Sequence, residues 1–236
     1  MTTRQRKARR QSSRRGISTT QILIVVGTAV LAVAVLVALN FNRFQPATAT
    51  KVKYPVGVNG GGQPYKGSPD APLKIVVFAD FACSHCADFA QSLDALAPAY
   101  IETGKMQVIF RNFAFLTPES KLAAQATECA LDQGADKFWA YHDLLFSMQG
   151  RGGAALSNTS LKAYAGQLNL DTAAFDQCLD SGAKAAAVEA DHTDGVSSGV
   201  TGTPTWFIDG ELMPGALAEN ELREVFDQTL AKGSGQ

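Results

Sequence analysis

The apolar run Ile75-Val76-Val77-Phe78 leads through Ala79-Asp80-Phe81-Ala82 into Cys83-Ser84-His85-Cys86. A short continuous apolar run suits a strand buried on both faces, and a helix-like pattern follows the cysteines. Cys83 then sits at a helix N-terminus, where free N–H groups and the helix dipole favour a thiolate. Cys86, one turn on, can reach back to close a disulfide with it. A strand and a helix joined through two reactive thiols constrain the chain to an α/β unit built for thiol–disulfide exchange. The competing reading of Cys-x-x-Cys as half a zinc site needs further Cys or His ligands at short spacing. The remaining cysteines, Cys129 and Cys178, are far apart, and the histidines are His85, His142 and His192. No metal is expected.

Charge is distributed unevenly along the 236 residues. Arg4, Arg6, Lys7, Arg9, Arg10, Arg14 and Arg15 precede the first acid, Asp70. Without these seven and Arg43, 13 basic residues face all 22 acids, a formal charge of −9. So acidic a domain argues against nucleic acid as a partner. Between the arginines and the domain, residues 22–39 are apolar apart from Gly27 and Thr28. As a helix this stretch spans about 27 Å, near the roughly 30 Å hydrocarbon thickness of a bilayer. The positive-inside rule keeps residues 1–21 in the cytoplasm as a basic tail. The reading is an uncleaved, single-pass signal anchor with the domain outside the cytoplasm. Ala47-Thr48-Ala49 offers a signal peptidase an alternative cleavage site, although it lies well past the apolar run. Ser13-Arg14-Arg15 looks like a twin-arginine signal but continues poorly through Gly16-Ile17-Ser18.

Residues 40–64, rich in Gly and ending in Gln63-Pro64, are expected to form a flexible linker, its tether character continuing to Pro72. Its last residues are the ones best placed to cover a sheet edge. The domain is expected over 65–232. Residues 87–100 read as a helix that Pro98 bends or ends. Residues 106–110 read as a strand parallel to the first. A helical stretch covers about 118–198, with one helix ended by Gly134, another carrying Phe138, Tyr141, His142, Leu145 and Phe146, and three further segments at 161–168, 172–179 and 183–198. Thr205-Trp206-Phe207-Ile208 then reads as a strand turning through Asp209-Gly210, and 218–230 as a closing helix.

The segment Phe78-Ala79-Asp80-Phe81-Ala82-Cys83-Ser84-His85-Cys86 combines with Gly199-Val200-Thr201-Gly202-Thr203-Pro204-Thr205-Trp206 and the aromatic stretch from Phe138 to Phe146. Together they resemble the DsbA-like thiol–disulfide oxidoreductases of the thioredoxin superfamily, and the N-terminal anchor is similar to that of their membrane-tethered members. The resemblance implies a thioredoxin fold with a helical insertion and Cys83 and Cys86 as the exchanging pair. It implies that Pro204 is cis and packs beside them, leaving the Thr203 backbone to bind an extended substrate. His85 matches the family's Cys-Pro-His-Cys pattern, whereas Ser84 replaces its usual proline; both are expected to tune the redox poise. Asp80 is open to two readings, proton transfer with the buried thiol or capping of the following turn.

The activity implied is disulfide formation in reduced, exported proteins. A membrane partner, DsbB-like or vitamin K epoxide reductase-like, would reoxidise the pair, and the domain itself needs no cofactor. Reductase or isomerase work, for example in cytochrome maturation, and a non-catalytic peptide-binding module are the alternatives. Cys129 and Cys178, each on an apolar helix face, are expected to form a structural disulfide, with two buried free thiols as the alternative.

Overall fold

The computed structural model describes residues 53–149 and 153–233. The expected tail at 1–21, the anchor at 22–39 and the linker up to residue 52 lie outside the described residues. Among the described residues no helix is long and apolar enough to cross a membrane.

A six-stranded sheet runs in the order β1 (Val56–Val58), β2 (Pro64–Gly67), β4 (Met106–Asn112), β3 (Leu73–Ala79), β5 (Thr205–Ile208), β6 (Glu211–Pro214). Its centre is β3 (Leu73–Ala79), paired parallel with β4 (Met106–Asn112) and antiparallel with β5 (Thr205–Ile208). The helix α1 (Ser84–Tyr100) connects β3 to β4. Leu73, Ile75, Val77 and Ala79 alternate into the main core, which includes Phe89, Leu93 and Leu96 of α1. Val76 and Phe78 point to the opposite face, where they cluster with Phe113, Val200 and Phe207. Two-sided burial is what a continuous apolar strand encodes.

Among the described residues five α-helices lie between β4 and β5: α2 (Pro118–Leu131), α3 (Ala135–Ser147), α4 (Asn158–Gln167), α5 (Thr172–Ser181) and α6 (Ala185–Ser197), with a short 3-10 turn at Gly153–Leu156. A reciprocal cap starts α2: Thr117 Oγ1 accepts from Ser120 N at 3.1 Å, and Ser120 Oγ accepts from Thr117 N at 3.2 Å. Pro118 at its first position lacks an N–H where none would be bonded. Asp171 caps α5 through Ala174 N at 3.0 Å. Cys129 of α2 and Cys178 of α5 form a disulfide. Gln133 and Asp171 exchange hydrogen bonds of 3.0 and 2.8 Å beside it. The last helix, α7 (Glu219–Gly233), buries Leu222 and Phe226 against the α1 side of the sheet.

One expectation needs correction. Part of the stretch expected as linker is sheet: β1 (Val56–Val58) and β2 (Pro64–Gly67) form a hairpin, and β2 pairs antiparallel with β4. The glycines that read as flexibility make its turn, in which Asn59 Oδ1 accepts from the N–H of Gly61 and of Gln63, both at 3.0 Å. Gly67 closes the hairpin at φ +102°, where a Cβ would lie 2.2 Å from the Met106 carbonyl oxygen. Only glycine fits so close a backbone approach. The helix α1 ends at Tyr100, as expected, with Pro98 in its last turn, and it begins at Ser84, three residues before the expected start.

Candidate active site

The turn between β3 and α1 is held in place before any chemistry is considered. Asp80 is fully buried, and its carboxylate accepts three backbone N–H bonds: Oδ1 from Ala82 at 2.8 Å, Oδ2 from Phe115 at 3.0 Å and Leu116 at 3.1 Å. It binds the end of β3 to the loop after β4. Of the two readings of Asp80, turn capping is the one this geometry carries.

Cys83 is the N-cap of α1 in an extended conformation, and Cys86 lies in the first turn. Both thiols are free, with Cys83 9% exposed and Cys86 1%. The Cys83 thiol is brought down to about 5, mainly by a hydrogen bond from the Cys86 thiol, which outweighs burial. The Thr203 hydroxyl and the backbone N–H groups of Cys86 and His85 add to this. Burial pushes Cys86 far above the ordinary thiol range, and the neighbouring Cys83 sulfur raises it further. The result is one sulfur poised as thiolate at the surface and one held as thiol beneath it.

Thr203 reaches this pair from the loop before β5. In the thiol form, Cys83 Sγ donates to the Thr203 carbonyl oxygen at 3.3 Å. Thr203–Pro204 is a cis peptide. The Thr203 hydroxyl is buried without a well-formed hydrogen bond of its own, so what it offers the sulfurs is a dipole more than a fixed bond. The structure thus brings Cys83, Cys86, Thr203 and Pro204 together. Ser84 is exposed at the helix start. The His85 ring is three-quarters exposed and turns towards Asp88 at 3.8 Å. The backbone N–H of His85 is among the groups that lower the Cys83 thiol. Cys129 and Cys178 sit in the insertion, paired with each other.

Gln149 is a site residue that sequence reasoning missed. Just beyond α3, its Nε2 donates to the carbonyl oxygens of Phe81 at 2.6 Å and Cys83 at 2.9 Å. The Cys83 carbonyl also accepts from Cys86 N and Ala87 N, so Gln149 joins the insertion to the first turn of α1. Its only sequence signal is a place beside the glycine-rich break at 150–153, which names no role.

A thioredoxin family model matches residues 59–228. Over 162 residues, 69% of this chain, it is 34% identical to the Na(+)/H(+) antiporter NhaA of Herminiimonas arsenicoxydans. It spans only 25% of that antiporter's length. Disulfide bond formation protein D of Bacillus subtilis is 28% identical over 181 residues, 72% of this chain and 78% of the relative. Crystal structures of BdbD from Bacillus subtilis (TM-score 0.68) and alpha-DsbA1 from Wolbachia pipientis (TM-score 0.66) are each 25% identical. Each covers 75% of this chain, and 98% and 94% of its own length respectively.

Proposed function

The chain belongs to the thioredoxin family, and from that premise we propose that it is a DsbA-like thiol–disulfide oxidoreductase acting outside the cytoplasm. The observation that carries the reading is the division of labour between the two sulfurs: Cys83 is held as a thiolate near neutrality, and Cys86 is held protonated below it. A substrate thiolate attacks Cys83 Sγ of the Cys83–Cys86 disulfide, breaking the S–S bond and releasing Cys86 as thiolate, which takes up a proton. A second substrate thiolate attacks the substrate sulfur of the mixed disulfide. The substrate leaves oxidised by two electrons, and Cys83 departs as thiolate. A low leaving-group pKa speeds that departure and favours the reduced enzyme, which is the bias of an oxidase. The Thr203 carbonyl, beside Cys83 at the end of a loop, is the edge on which an extended substrate would pair.

The substrates proposed are reduced exported proteins. The anchor reading of residues 22–39 rests on the sequence alone, as does a quinone-linked membrane partner, DsbB-like or vitamin K epoxide reductase-like, that reoxidises the pair. Equilibration of the purified domain with glutathione buffers tests the direction of electron flow. An oxidase has a potential less negative than about −180 mV, and a value near about −270 mV makes the protein a reductase.

A further inference from the structure

Cys86 must gain or lose a proton each time its bond to Cys83 breaks or forms, yet it is 1% exposed. It lines a cavity of about 20 Å³, room for one water. The walls are mostly apolar, and two further polar side chains reach it, Lys66 from β2 and His142 from α3. Lys66 is buried, with Nζ 2.7 Å from Asp94 Oδ1 and 4.8 Å from the centre of the Trp139 ring. Burial alone would strip its proton, but Asp94, with Asp143 and Tyr54, outweighs burial and keeps Lys66 charged. A cation that holds its proton favours a thiolate nearby but does not accept a proton from it. Asp80 is also excluded as acceptor, because three backbone N–H groups occupy both its oxygens.

His142 remains. It is 4% exposed, and its ring stands edge-on to Phe81, Phe110, Trp139 and Phe146, with centroids 4.8 to 5.7 Å away. Its Nδ1 is 2.8 Å from Asp143 Oδ1, which fixes Nδ1 as the donor, and Nε2 has no protein partner among the described residues. We infer that His142 Nε2 exchanges the Cys86 proton across this cavity. The inference rests on the reading of Cys83–Cys86 as the exchanging pair. When Cys86 closes the disulfide, its S–H proton passes to Nε2 and its thiolate attacks Cys83 Sγ. The Cys83–Cys86 bond forms, and the group bound to Cys83 leaves as a thiolate. In the opposite direction the imidazolium returns the proton to Cys86 as the bond breaks. The charged and titratable groups facing the imidazole are Asp143 on its own helix, with Lys66 from β2 and Cys86 from α1 across the cavity, while Asp94 from α1 and Tyr54 ahead of β1 act on Lys66.

The test mixes the reduced protein with oxidised glutathione and follows acid-quenched species by mass. Attack by Cys83 is bimolecular; release of glutathione by Cys86 is unimolecular. In the natural protein the release rate should rise with pH, because only the neutral imidazole accepts a proton. His142→Gln keeps a hydrogen-bonding group and His142→Phe keeps the aromatic packing, but neither accepts a proton. Both should slow release at neutral pH by about tenfold or more and erase that rise, while the bimolecular phase stays within about twofold and reports an intact fold. Release with unchanged rate and pH profile in either folded variant overturns the role of His142. A natural protein that forms the mixed disulfide but shows no unimolecular release overturns the exchange reading itself.

Discussion

Cys83 and Cys86 are the same side chain three positions apart, and they are shifted in opposite directions because Cys83 accepts a hydrogen bond from the Cys86 thiol, with backbone N–H groups of the helix start adding to it, whereas Cys86 is buried behind it. The rate of Cys83 alkylation by iodoacetamide in the reduced protein should therefore have its midpoint at about 5. Cys86→Ala removes the hydrogen bond that lowers it most and should raise the midpoint by about one unit or more, each unit being about 1.4 kcal/mol. His85→Ala should leave the midpoint within about half a unit, since the backbone N–H is what acts; a larger shift would restore the imidazole as the tuning group. At this scale the sequence was readable where chemistry depends on spacing along one turn, as for Cys83 and Cys86. It was silent on Gln149, whose two carbonyl partners lie more than sixty residues away. It left open how His85 acts, because no sequence pattern reports which way a side chain turns.

The insertion helices are fastened to one another and to the sheet, and each fastening makes a separate claim. Cys129–Cys178 closes a loop of 49 residues. Replacing both by Ala should lower the urea-unfolding free energy by about 4 kcal/mol in the chain-entropy view, without moving the Cys83 midpoint. Glu128 of α2 is 9% exposed, and Oε1 accepts from Asn112 Nδ2 of β4 at 2.8 Å. Burial, together with the nearby Asp191 carboxylate, pushes its carboxyl up to about 7 from 4.5. The folded state thus holds a proton that the unfolded chain has lost, so this contribution is complete below about pH 4.5 and is lost as pH rises through about 7. Glu128→Gln should remove that decline, gaining on the order of 3 kcal/mol at pH 8 relative to the natural protein. Unfolding curves that keep the same slope against pH would assign the decline elsewhere. The helices themselves were legible from apolar spacing and punctuation such as Gly134. The β1–β2 hairpin was not, because its strands are three and four residues long and its composition is that of a tether.

For the whole molecule, the depressed Cys83 thiol makes the dithiol state the better-folded one. A group whose folded pKa is lowered stabilises the fold above its unfolded value and loses that contribution as pH falls through the folded one. The reduced protein should therefore resist urea more than the oxidised protein at pH 7, with the gap narrowing as pH falls through about 5. Equal midpoints for the two forms at pH 7 would remove the basis for calling the disulfide an oxidant. The central β3-α1-β4 unit and the β5-β6 turn were legible because local pattern and long-range packing agree there. The placement of α3 over the active-site turn was not, since it depends on contacts among distant aromatic rings. The Cys129–Cys178 cystine has a further consequence at this scale. A freshly made chain carries four thiols that allow three complete pairings, and one of them leaves a permanent bond in the insertion with the reactive pair free to cycle. The protein is then a client of the chemistry proposed for it. Under the proposed function, finished copies should oxidise the insertion cysteines of new ones, and the population should seed its own maturation. A catalytic trace of oxidised protein added to fully reduced chain should shorten the half-time of Cys129–Cys178 formation relative to air alone; no acceleration would mean that the first oxidant must always come from outside.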